Sequence, residues 1–188
     1  MINSYGKPID EHNVTAEEWI TIYKNGGWKG EGSGRGSLVK NNQFLISWLL
    51  DFVLKNNIKN IVDVGCGDLQ WMSVLFKNKP NLMYTGIDCV GSLIKTHQKK
   101  YSYYAFFCKD ISQDEPLLKG KYDLVICKDI LQHNTKKPDK IINSIDKIKS
   151  KYKLIITPEF VKSPTDFSYS WILDYQSDEQ KSIYIIKT

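Results

Sequence analysis

The run Ile61-Val-Asp-Val-Gly-Cys-Gly-Asp68 constrains the fold more than any other part of the chain. Its first four residues read as a buried strand, and a Gly-x-Gly turn follows at once. Glycine there lets the backbone turn tightly and admits a ligand where a Cβ would otherwise stand. A helical stretch near Gln70–Phe76 comes next, and the first turn of a helix offers unpaired N–H groups and a positive dipole end. Strand, glycine turn and helix together predict a parallel α/β sheet whose ligand lies at the strand ends.

The rest of the chain supports that unit. Strands are expected over Asn60–Val64, Met83–Ile87, Tyr103–Cys108, Tyr122–Cys127, Lys153–Thr157, Ser170–Tyr175 and Ser182–Lys187. Helices are expected near Gln70–Phe76, Gly91–Lys100 and Pro138–Ser150, and the Tyr104–Tyr122 link reads as a loop. Gln176–Lys181 is short enough to join the last two strands as an antiparallel hairpin. Upstream, Thr15 caps a short helix to Lys24, and a second helix spans Leu38–Lys55 with Ser37 as its expected cap. Between them, residues 25–37 hold six of the chain's twelve glycines. The division expected is one domain over 1–188, with helices and a glycine-rich lid in 1–57 and the α/β core in 58–188.

Composition excludes several classes. Of 188 residues, 41% are apolar and 25% charged, as in an ordinary soluble domain. No apolar run approaches the ~20 residues of a membrane span. Met1–Asp10 lacks the apolar core of a signal peptide, so a cytoplasmic location is expected. The net charge is +5, carried by lysines with Arg35 as the only arginine. A phosphate-gripping surface normally recruits arginine forks, so lysine excess alone is a weak nucleic-acid signal. Cys66, Cys89, Cys108 and Cys127 form no C-x-x-C pair, and no metal site is expected. Each ends an apolar stretch, so parallel strands would gather all four at one sheet edge.

A second acid sharpens the ligand. Asp88 ends the second strand, 23 residues after Gly65. A carboxylate there accepts hydrogen bonds from both ribose hydroxyls. The dinucleotide fingerprint asks for a third glycine where this chain has Gln70, and Asp68 would repel a pyrophosphate. A phosphate-free nucleoside carrying a sulfonium suits so acidic a turn better.

Asp63-Val-Gly-Cys-Gly-Asp68 resembles the first motif of the class I S-adenosylmethionine-dependent methyltransferases, and the likeness extends over Asn60 to Thr157 in order and spacing. It implies a three-layer Rossmann-like fold with a mostly parallel seven-stranded sheet ending in an antiparallel hairpin. It also implies S-adenosylmethionine as cofactor, with Asp63, Gly65, Cys66 and Gly67 at its turn and Asp88 on its ribose. Lys109-Asp110-Ile111 matches the stretch that contacts adenine, although Asp110 could instead cap a short helix. Asp123 to His133 resembles the fourth-strand motif, Lys128 joins the cofactor candidates, and Ile155–Pro158 resembles the fifth strand and its exit. The Trp28–Ser37 run resembles a stretch in a smaller set of bacterial and viral methyltransferases, some attached to glycan-building enzymes.

The reaction implied is in-line methyl transfer, in which aligning the reactants supplies roughly 7–11 kcal/mol. His133 is the candidate general base, against a purely packing role; Asp129 is a second candidate or an orienter for it. Glu159 is a candidate substrate contact. Ser33, Arg35 and Ser37 lie in a Gly/Ser run suited to an anion nest, with Arg35 on the cofactor's carboxylate, or to a lid or a plain linker. The acceptor expected is a glycan or small-molecule hydroxyl, bound by residues 1–57 and the loops after the fourth and fifth strands. RNA is the alternative, supported by lysines and tyrosines, and Lys128-Asp-Ile-Leu131 lacks the Pro-Pro-aromatic signature of base N-methylation. A cofactor-binding subunit without catalysis is the non-enzyme alternative.

Overall fold

The computed structural model describes residues 1–3, 5–113, 118–158, 170–176 and 180–188; Glu159 lies outside them. Its centre is one sheet of strands β1 (Asn60–Val64), β2 (Met83–Asp88), β3 (Ala105–Cys108), β4 (Lys121–Lys128), β5 (Lys149–Pro158), β6 (Ser170–Gln176) and β7 (Gln180–Lys187). The order is β3-β2-β1-β4-β5-β7-β6. β1 to β5 are parallel; β7 runs antiparallel to both β5 and β6. All five parallel strands therefore end at one edge, and β7 begins there, with Lys181 opposite Pro158.

Alternation along the strands builds two cores. Ile61, Leu124, Ile126, Leu154 and Ile156 face the layer of α2 (Gln43–Lys55), α3 (Met72–Asn78) and α4 (Gly91–Lys100). Val62, Val64, Val125, Cys127 and Ile155 face α5 (Pro138–Asp146), which buries Ile141, Ile142 and Ile145. α1 (Ala16–Lys24) opens with a capping box between Thr15 and Glu18. Ile9, Val14 and Ile22 form a third small core with Trp19 and Trp28 packed on it.

Two expectations fail at element ends. Ser37 does not cap α2: residues 35–41 coil into two single 3-10 turns, and the helix starts at Gln43. Asn42 precedes it, and its buried amide bonds the Gly36 and Leu38 carbonyls at 2.8 Å each instead of capping. The α5 helix stops at Asp146 rather than Ser150, because Lys149 and Ser150 already pair with Lys121 and Tyr122 of β4. A sheet ladder there outweighs the helical pattern that runs up to it. No helix among the described residues is long and apolar enough to cross a membrane.

Candidate active site

A cavity of about 320 Å³ opens at the edge where the parallel strands end. That lies within the usual range for small-molecule sites. Every sequence-predicted site residue inside the described segments lines it: Ser33, Arg35, Ser37, Asp63, Gly65, Cys66, Gly67, Asp88, Asp110, Ile111, Lys128, Asp129 and His133.

The turn after β1 forms the first wall. Gly65 has φ +77° and Gly67 +54°, values that side chains resist. A Cβ on Gly65 would collide with the Ile130 side chain, and one on Gly67 with Ser33 Oγ. Asp88 lies across the turn, accepting the Gly67 and Val90 backbone N–H groups at 2.9 Å each, one on each oxygen. Burial raises its carboxyl against those bonds. Asp63 is 2% exposed and accepts the Tyr84 hydroxyl at 2.7 Å. Burial pushes its carboxyl up to about 7, with the Tyr84 bond opposing. Asp110 closes a local turn, bonded by Ser112 N–H and Oγ and by Gln113. These bonds outweigh its burial and lower its carboxyl.

The glycine-rich run is not a linker. Ser33 N–H donates to Asp68 Oδ2 at 2.9 Å, and Asp68 N–H donates back to Ser33 Oγ at 2.9 Å. Tyr23 shares a 2.5 Å hydrogen bond with the same Oγ, and Gln70 Nε2 reaches the Glu31 carbonyl at 3.2 Å. The loop is thus docked on the β1 turn, and Ser33 serves that docking. Lys128 Nζ donates to the Gly36 carbonyl at 2.6 Å, beside Asn42 on the same oxygen.

Past β4 the chain presents its remaining chemistry. Asp129 has φ +58°, an uncommon conformation for a residue with a side chain. Its carboxylate accepts a hydrogen bond from Lys128 and two from Lys181, the latter at 2.6 and 2.8 Å. Burial alone would raise this carboxyl, but the two lysines hold it at about 2. So stable an anion is a poor proton acceptor, and its hydrogen bonds among the described residues go to Lys128 and Lys181. Burial lowers Lys128 to about 8, with Asp129 opposing and Lys181 adding to the fall.

His133 packs against both Trp19 and Trp28, its ring centroid 5.2 and 4.8 Å from theirs. Its Nδ1 lies 2.7 Å from the Glu11 carbonyl oxygen. A carbonyl only accepts, so Nδ1 carries the proton and Nε2 of the neutral ring holds a lone pair. Burial lowers its pKa.

Sequence reasoning missed Lys181, Asn42, Gln132 and Trp19, the partner of Trp28. Lys181 stands outside every motif and reaches the site only because β7 starts beside the end of β5. Gln132 lines the cavity with Oε1 buried and without a partner. Among the described residues, no group of three His, Cys, Asp or Glu side chains could hold a metal ion.

These residues fit an adenosyl thioether: a turn free of Cβ atoms, a buried carboxylate with spare acceptor capacity, and no third glycine. The comparisons agree. A family model described as a methyltransferase domain matches residues 62–149. The methyltransferase domain of bacterial CtHen1 superposes with a TM-score of 0.64 at 14% identity, over 79% of this chain and 100% of that one. The plantazolicin methyltransferase BpumL, solved with S-adenosylhomocysteine (SAH), gives 0.63 at 15% identity, over 92% and 93%. An rRNA methylase from Escherichia coli gives 0.56 at 14%, over 79% and 65%. No protein of curated function matches the sequence. Residues 62–149 thus match a methyltransferase domain, and the chain has the fold of the class I S-adenosylmethionine-dependent methyltransferases.

Proposed function

We propose that the enzyme methylates a hydroxyl group of a glycan or small molecule, with His133 as general base. One observation carries this reading: the ring nitrogen that faces Glu11 is committed to a carbonyl, which leaves Nε2 as a fixed lone pair in a residue lining the cavity. When bound, S-adenosylmethionine supplies an electrophilic methyl group on a sulfonium. A hydroxyl acceptor must lose its proton as it attacks, and Nε2 takes it. The lowered pKa keeps His133 neutral, as a base must be, at and below neutral pH.

The cofactor-binding roles follow from position and chemistry. Gly65, Cys66 and Gly67 give backbone against the nucleoside, and Asp88 takes the ribose hydroxyls. Asp110 and Ile111 flank the adenine. Asp63 offers a buried carboxylate to the amino group, and Arg35 a guanidinium to the carboxylate. Ser33, Ser37 and Lys128 close the loop over them.

The reading is tested by incubating the protein with isotopically methyl-labelled cofactor and neutral, acidic and phosphorylated sugars, small phenols and RNA, then identifying the product by NMR. A methoxy ether supports it. Label on nitrogen, or label on RNA with binding that falls steeply with salt, replaces it.

A further inference from the structure

The floor of the cavity past β4 carries two cations for one anion. The Lys128 side chain is 4% exposed, Lys181 2% and Asp129 15%. Lys181 has three N–H donors, and among the described residues the Asp129 carboxylate is its one hydrogen-bond partner. Lys128 is spent on the Gly36 carbonyl and Asp129, with its Nζ 5.8 Å from the centre of the Trp71 ring. A carboxylate shared by two ammonium groups neutralises one of them. The other is left desolvated and without a counter-charge unless an anion arrives. Asp63 is the other carboxyl whose charge acts on Lys128, but it is bonded by Tyr84 and is held near 7, so it offsets only part of that charge. Gln132, orphaned on the same cavity, has a carbonyl and no charge.

Position gives the excess charge to the acceptor and not to the cofactor. Asp88 ends β2 and Asp110 follows β3, on one side of β1. Asp129 follows β4 and Lys181 lies in β7, on the other side, with His133. Asp129 adopts a strained left-handed conformation to stand there, and such strain collects at functional sites.

We infer that the Lys128–Asp129–Lys181 cluster anchors the methyl acceptor, and that this acceptor carries an oxyanion, a carboxylate or a phosphate, which sits against Lys181. The inference rests on the hydroxyl reading above and narrows it to acidic or phosphorylated hydroxyl compounds. A bound sulfonium would add positive charge, which favours an anionic acceptor beside the lysine pair over a cationic one. A purely structural cluster would serve to seat the glycine-rich loop. Lys128 makes that contact through Gly36; Lys181 makes its hydrogen bonds to Asp129, so Lys181 is the residue to vary.

The test melts SAH-saturated protein with glucuronate, glucose 6-phosphate, inorganic phosphate or neutral glucose, at matched ionic strength. The expected result is a higher Tm with at least one anion and none with glucose. Lys181→Met should weaken that anion at least tenfold and Lys181→Arg should retain it, while calorimetry finds SAH affinity within about threefold of wild type in both. Glucuronate or the phosphates alone would tell which oxyanion the site prefers. Anions indistinguishable from glucose, or a Lys181→Met variant that responds like wild type, overturns the inference. Should Lys181→Met fail to fold, the comparison of anions with glucose on wild type decides alone. Failure of wild type to bind SAH would instead strike at the methyl-transfer reading itself.

Discussion

At the scale of single residues, His133 and Asp129 show how environment assigns roles to neighbours four positions apart. His133 is pushed toward its neutral form by burial, Asp129 toward its ionised form by two lysines. His133→Ala should lower kcat by about 10²–10⁴-fold while SAH binding persists; a loss under tenfold removes the base role. The acid limb of kcat/KM should lie below pH 6.5, because the folded histidine gives up its proton sooner than a free one. Asp129→Ala leaves two facing ammonium groups without a counter-charge and should cost about 3–5 kcal/mol in urea unfolding. Since folding depresses the Asp129 carboxyl, its contribution is complete above pH ~4, the unfolded value, and is lost as pH falls toward 2. A urea midpoint insensitive to acid across that window would refute the pairing.

At the scale of elements, the glycine-rich run behaves as part of the β1 turn. Ser33 and Asp68 hold each other through two reciprocal bonds, with Tyr23 behind them. Removing either partner leaves the other unpaired, so Ser33→Ala and Asp68→Ala should each cost about 1–3 kcal/mol. The double variant should cost less than their sum, since both delete one unit. Additive losses would show that the two sites act separately. The glycines in this run and at β1 were legible in the sequence as a pattern. Their reason was only partly so: Gly67 is small for Ser33 of the loop and Gly65 for Ile130, contacts between segments far apart in the chain. Ser37 was misread as a cap because a serine before an apolar period is a strong local signal. The buried Asn42, tied to the Gly36 and Leu38 carbonyls, overrides it.

At the scale of the whole molecule, the cavity lies where N-terminal segments meet the ends of the parallel strands, so a ligand there adds contacts to both. The Glu11 carbonyl, the loop at Ser33 and the start of β7 at Lys181 all converge on it. SAH at 100 times its Kd should therefore add about 2.7 kcal/mol, a rise of roughly 5–10 °C in Tm for a chain of this size. A melting curve unmoved by SAH would contradict the cofactor's place in the fold. The amino-acid sequence by itself determined the alternation of strands and helices, the glycine turn after β1 and the acid at the end of β2. Those are signals of short range, written in side-chain periodicity and in backbone freedom. Only the tertiary structure decided that Asp129 is ion-paired with two lysines, that Ser33 fastens a loop, and that Lys181 lines the cavity. Each depends on a partner tens of residues away, and charge and hydrogen bonding act on distance in space, which no local pattern encodes.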